Sequence, residues 1–219
     1  MSKTSRVTNK SPLAQKKYQS DRSKHDFVNK LPDSIKKLVK SIYYLVMDVN
    51  YYLFREKGTM VPPPSNNGTA NYLEIGREFV GYFVDYGGLK QTDRVLDIGC
   101  ATGKIALPLT NYLSKEGSYV GFDLKRKQID WAKNNITTKF PNFEFYKVNV
   151  INPIYSDVGE NAKDFVFPYE DSTFDFVFLV SIFTHMLPED VENYLSEIQR
   201  VLKVGGKCVL TFFLLNSKS

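Results

Sequence analysis

The first chemical signal in this chain is a run of small residues that follows a buried-looking apolar stretch. The run is Asp97-Ile98-Gly99-Cys100-Ala101-Thr102-Gly103-Lys104, and a helical pattern begins behind it. A strand that feeds a small-residue turn at a helix start can hold a nucleotide-like ligand. Glycine lets the ligand approach the backbone, and the helix start offers N–H donors. Asp123 lies 24 residues after Gly99, at the end of the next apolar run. A carboxylate there can accept hydrogen bonds from both hydroxyls of a ribose. It would repel a 2′-phosphate, which disfavours NADP, whereas NAD stays open on this residue alone. A dinucleotide loop needs G-x-G-x-x-G; here Ala101 and Lys104 stand at the second and third glycine positions. Val148-Asn149-Val150 closes a third apolar run, and the Asn149 amide oxygen can accept from a base amino group or simply cap a turn. His185 is one of two histidines. Its imidazole suits a general base near neutral pH; packing beside a strand–helix turn is the plainer reading.

These residues need elements to place them. From Asp93 onward, apolar strand-like runs alternate with helical patterns, which predicts a parallel sheet with helices on its faces. The strands are expected at Arg94–Ile98, Ser118–Phe122, Phe143–Val148, Phe174–Val180 and Lys207–Leu215, with a short extended piece at Phe165–Phe167. Helices are expected at about Lys104–Leu113, Arg126–Thr137 and from Pro188 to a cap at Gly205-Gly206. Upstream, Ile35, Leu38, Ile42, Leu45, Val49 and Leu53 recur every three or four residues, the period of an amphipathic helix over about Ser34–Arg55. Val61-Pro62-Pro63-Pro64-Ser65-Asn66-Asn67-Gly68 reads as a linker. A shorter helix, Ile75–Tyr86, follows and ends at Gly87-Gly88.

With these motifs in order, the stretch from Tyr72 to Phe213 resembles the class I S-adenosylmethionine-dependent methyltransferases, in particular their type 11 group. The likeness runs through Leu-Asp-Ile-Gly at 96–99, Val-Gly-Phe-Asp at 120–123, Phe-Asp-Phe-Val at 174–177 and Arg200-Val-Leu-Lys-Val-Gly-Gly-Lys. Asp97-x-Gly99-x-Ala101-x-Gly103 resembles that family's D-x-G-x-G-x-G loop, with Ala101 replacing a glycine. The added methyl disfavours positive φ there. The resemblance implies a Rossmann-like open parallel sheet with helices on both faces. It implies S-adenosylmethionine as methyl donor and S-adenosylhomocysteine as product. It implies cofactor contacts at Asp97, Gly99, Cys100, Ala101, Gly103, Asp123, Leu124, Asn149, Val150 and Ser181, and at Tyr72 in the part that folds over the cofactor. The acceptor is expected to be a small molecule or glycan, methylated on oxygen or nitrogen. A cofactor-binding scaffold without turnover, or a truncated enzyme, is the second reading, and an NAD-dependent oxidoreductase the third. The family sheet has seven strands; this chain stops just after the fifth. Its C-terminal hairpin strands are therefore expected to be missing, leaving an edge that a homo-oligomer or partner would cover.

Composition narrows the field. At 219 residues with 42% hydrophobic and 14% aromatic content, the chain can build a sizeable core. No run of eighteen apolar residues exists, and Met1–Arg6 lacks a signal-peptide core, so a cytoplasmic protein without a membrane span is expected. Cys100 and Cys208 form no C-x-x-C pair and no metal spacing is present. Neither cysteine follows a proline, which sets aside the cytosine C5 enzymes. No (Asp/Asn/Ser)-Pro-Pro-(Tyr/Phe) follows the fourth strand, which sets aside amino methylation of bases. Residues 1–40 hold 11 Lys/Arg against 3 Asp/Glu, a balance of +8, whereas the whole chain carries +5. The basic charge belongs to an arm at 1–30, expected to be disordered. The organisation expected is that arm, a helical cover at 31–90 with its linker at 61–68, and a methyltransferase core at 91–219. Nucleic acid contact through the arm is a lesser alternative; it would be steeply salt-dependent.

Overall fold

The computed structural model describes residues 32–55, 58, 60–67, 71–152 and 158–212. The basic arm at 1–30, and Phe213, Leu214 and Leu215 of the expected fifth strand, lie outside them. The chain divides into two units after Leu53. The first contains nearly all of α1 (Asp33–Phe54), an amphipathic helix with no buried residue.

The second unit is the α/β fold that the alternating pattern predicts. Its strands are β1 (Arg94–Ile98), β2 (Ser118–Asp123), β3 (Phe143–Lys147), a small pair β4 (Val150–Ile151) and β5 (Glu160–Asn161), then β6 (Phe174–Leu179) and β7 (Leu202–Leu210). Five of them form one parallel sheet in the order β3-β2-β1-β6-β7. The helices are α2 (Pro64–Asn67), α3 (Tyr72–Asp85), α4 (Ala106–Leu109), α5 (Arg126–Ala132), which continues into a wider π turn at Lys133–Thr137, and α6 (Pro188–Val201). Both sheet faces are covered, so alternate residues of each strand enter different cores. Val95, Tyr119, Phe143, Phe145, Phe176 and Phe178 pack with α3, α4 and α5. Leu96, Ile98, Val120, Phe122, Val177 and Leu179 pack with α6 and with Phe165 and Phe167.

The approach to β6 is fixed by one arginine. Arg200 donates to both Glu197 carboxylate oxygens at 2.9 and 2.6 Å, to Asp171 at 2.9 Å, and to the Phe167 and Tyr169 carbonyls. Glu197 also accepts the Phe167 N–H at 2.7 Å.

Several expectations are corrected. The helix after the small-residue loop starts at Ala106 and has four residues, because Pro108 has no N–H to give the Lys104 carbonyl. That carbonyl instead faces Gly76 of α3, where a Cβ would stand 2.2 Å from it. The proline run is not a bare linker. Pro62, Pro63 and Asn66 are buried, Met60 and Val61 pack on the core, and Pro64 opens α2, where a missing N–H does no harm. Phe165–Phe167 forms no strand; its rings fill the core beside α6. Pairing of β7 with β6 begins at Leu202, and Gly205-Gly206 occupies an irregularity in β7 rather than a helix cap. A Cβ at Gly206 would sit 2.9 Å from the Lys203 carbonyl, and the Lys203 ammonium clamps both Asp175 oxygens at 2.8 and 2.9 Å.

Candidate functional site

The strand order reverses at β1: β2 and β3 lie to one side, β6 and β7 to the other. In open α/β sheets the ligand crevice lies at the carboxyl ends of the strands beside such a reversal. A cleft of about 220 Å³ opens there. Of the residues singled out in the sequence, Gly99, Ala101, Asp123, Leu124, Val150, Ser181 and His185 line it. Ile182 and Met186, in the run after the fourth strand that is expected to face the cofactor and substrate, line it too. Lys125, Gln128 and Asn152 line it as well and carried no sequence signal beyond their place after a strand.

The loop is built by its own hydrogen bonds. The Gly99 and Cys100 N–H groups both donate to the Phe122 carbonyl at 2.9 and 3.1 Å, and the Gly103 N–H donates to Cys100 at 2.9 Å. The Ala101 N–H donates to Asp123 Oδ2 at 2.9 Å. These four loop donors are used inside the protein. The loop contributes shape. Gly99 and Gly103 have φ of 84° and 79°, and Ala101 takes φ of 49° despite its methyl. Gly99 also lies close against Ile182: a Cβ there would stand 2.3 Å from Ile182 Cδ1.

Across the cleft Ser181 also has positive φ, 58°. Two of the three non-glycine residues with positive φ among the described residues, Ala101 and Ser181, therefore border one cleft. Such backbone costs about 1–3 kcal/mol and persists where its surroundings enforce it. Here the Thr211 hydroxyl accepts the Ser181 N–H at 2.7 Å, and the Thr211 N–H donates to the Leu179 carbonyl. The chain just beyond β7 thus shapes the cleft, a link with no signature in sequence.

Asp123 stands at the rim. Its second oxygen accepts the Lys125 N–H at 3.0 Å, so each oxygen spends one lone pair on the backbone and keeps one for a ligand. Asp97, by contrast, lies beneath the loop and is 4% exposed. The Tyr119 hydroxyl donates to it at 2.5 Å. Burial pushes the Asp97 carboxyl up to about 8; the Tyr119 hydrogen bond opposes this and the charge of Asp123 adds to it. Cys100 shares that buried layer, and burial raises its thiol well above the usual range. Gly121 makes the room: a Cβ there would meet Cys100 Cβ at 2.7 Å and the Tyr119 hydroxyl at 2.8 Å. Tyr72 ties α3 to the loop, its hydroxyl donating to the Thr102 carbonyl at 3.0 Å.

Tyr72 and Asp97 thus lie behind the loop, and neither they nor Cys100 and Gly103 of the loop itself are on the cleft wall. Asn149 is off the wall too. Its side-chain oxygen accepts from the Lys147 ammonium and its carbonyl accepts the Glu160 N–H. Asn152 reaches the wall and its side-chain amide donates to the His185 carbonyl at 3.3 Å. Among the described residues no His/Cys/Asp/Glu cluster could hold a metal ion.

The methyltransferase domain family matches residues 96–210, more than half of the chain. This chain belongs to the class I S-adenosylmethionine-dependent methyltransferases. The cleft lining is compatible with their cofactor: Asp123 could accept from a ribose, and Phe122, Leu124, Val148 and Val150 present an apolar wall. An uncharacterized methyltransferase of Schizosaccharomyces pombe is 31% identical over 125 residues, 57% of this chain and 41% of that protein. The ubiquinone/menaquinone biosynthesis C-methyltransferase of Xylella fastidiosa is 32% identical over 141 residues, 64% of this chain and 50% of that one. The chain therefore spans half or less of the length of these relatives. The structure of a Pyrococcus horikoshii protein superimposes with a TM-score of 0.50 at 21% identity, covering 74% of this chain and 64% of that one. At that identity the likeness is one of fold.

Proposed function

We propose that this methyltransferase holds S-adenosylmethionine in the cleft between the Gly99–Gly103 loop and Ser181, and methylates an oxygen or nitrogen of a small-molecule or glycan-like acceptor. The observation that carries the cofactor pose is Asp123, whose two oxygens are each anchored by one backbone N–H at the cleft rim. The remaining lone pairs suit the two ribose hydroxyls. When bound, S-adenosylmethionine supplies a methyl group activated by a sulfonium. The residues then have two tasks, to hold acceptor and donor in line and to exclude water. Ile182 and Met186 provide an apolar wall beside His185. His185 takes the proton that a hydroxyl or amine acceptor loses as its heteroatom gains the methyl. Asn152 steadies the His185 backbone from the facing loop.

A carbon acceptor is the second reading, favoured by the C-methyltransferase among the relatives. Met60, Val61 and α3 pack against the core and support a covering role for that part of 31–90. The outer strand β7 is half-exposed, which supports a partner or second copy at that edge. Methylation assays against acceptor panels test the chemistry. Product carrying the methyl on O or N, and its loss in His185→Ala with S-adenosylhomocysteine affinity unchanged, is the expected result. A carbon-methylated product would move the assignment to the second reading.

A further inference from the structure

From α1 and the charge before it, we infer that the N-terminal segment docks on an anionic phospholipid bilayer, lying along its surface. This inference is independent of the reading of the cleft. At 1.5 Å per residue, the 22 residues of α1 make a helix about 33 Å long, as long as a bilayer core is thick. Yet no helix among the described residues is apolar enough to cross a membrane. In α1 the reason is Asp33, Lys36, Lys37, Lys40 and Asp48, which fall on one side.

The other side is a continuous apolar stripe of Ile35, Leu38, Ile42, Leu45, Val49 and Leu53, exposed from 43% at Ile35 to 71% at Leu53. Tyr43 and Tyr52 fall at the two borders of that stripe. Aromatic rings with a polar tip favour the headgroup level. A long helix with an apolar stripe, a lysine-bearing polar face and tyrosines between is the pattern of a helix lying in the interface plane.

Charge decides between occupants. Residues 1–40 balance to +8. Two copies joined through α1 would bring two such segments together, whereas an anionic lipid surface attracts both the arm and the lysine face. A nucleic acid would attract the arm but leave the aliphatic stripe unrewarded.

The test is flotation of the full chain with vesicles of phosphatidylcholine alone and of phosphatidylcholine mixed with phosphatidylserine. Binding to the mixed vesicles is expected to be about tenfold or more the stronger, and to fall as salt rises. The double variant Leu38→Glu/Leu45→Glu is expected to abolish it. The milder Lys36→Gln/Lys37→Gln/Lys40→Gln, which leaves the apolar stripe intact, should cut it severalfold. Both should keep wild-type affinity for S-adenosylhomocysteine, which separates this test from that of the cleft. No preference for the anionic vesicles would overturn the inference. So would undiminished binding by the Leu38/Leu45 variant. RNA binding without vesicle binding, or an oligomer dissolved by the Leu38/Leu45 change without vesicle binding, would also overturn it.

Discussion

Asp97 on β1 and Asp123 on β2 flank the same loop, and their surroundings differ in kind. Asp97 is buried beneath the loop in an aromatic layer, on the hydroxyl of Tyr119. Asp123 sits at the open rim and holds two backbone N–H groups. In the motif they look equivalent, each a carboxylate after an apolar run. Their environments give them separate tasks. One is a buried acid that fixes the layer under the loop. The other is a carboxylate on the cleft wall, the ribose acceptor of the proposed cofactor pose. Substitutions on the two sides should therefore separate cofactor affinity from stability.

The largest effect is expected at the rim. Asp123→Ala should weaken S-adenosylhomocysteine binding by about 10- to 100-fold, the worth of one or two hydrogen bonds to a charged acceptor. Calorimetry at equal folded fraction reads this. An equal loss in Asp97→Asn would break the comparison. Next is Gly76→Ala, on the support side. Its Cβ would stand 2.2 Å from the Lys104 carbonyl, so α3 must shift at a cost of about 1–3 kcal/mol, visible as a lowered melting temperature.

The third prediction concerns pH. Asp97 has a folded-state value near 8, above its ordinary 3.8. Its raised value favours folding fully at pH below about 4, and that contribution is lost as pH rises through about 8. Asp97→Asn should remove this dependence, so wild-type stability relative to the variant falls between pH 5 and 8, with a slope of at most about 1.4 kcal/mol per pH unit. Parallel denaturation curves for the two proteins across that range would contradict the buried-acid assignment. The smallest effect is Ala101→Gly. Relieving φ of 49° at a non-glycine residue should stabilise by about 0.5–1 kcal/mol, after the added freedom of the unfolded chain is set against it.

The sheet was legible in sequence because buried parallel strands are short, apolar and bounded by breakers; Arg94–Ile98 forms over the residues expected. The loop's exit was not. Pro108 fits the first turn of a helix, and nothing local says that α3 will meet the carbonyl it leaves free. The proline run misled for a related reason: rings that break a helix are also apolar and can be buried. Asn149 and Asn152 were not separable, because which of two nearby amides faces the cleft depends on the pairing of β4 with β5, and strands of two residues leave no periodic trace. Thr211 and Gly121 act through partners about 30 and 20 residues away, contacts that only the fold brings together. The place of Asp123 was legible because it follows from position alone, at the end of a strand beside the loop.

The central claim is that the cleft between the Gly99–Gly103 loop and Ser181 takes S-adenosylmethionine and not a dinucleotide. Calorimetry with S-adenosylhomocysteine and with NAD on one sample tests it most directly. Saturable binding of S-adenosylhomocysteine that is weakened about 10- to 100-fold in Asp123→Ala, with none for NAD, is the predicted result. NAD binding without S-adenosylhomocysteine binding would contradict it.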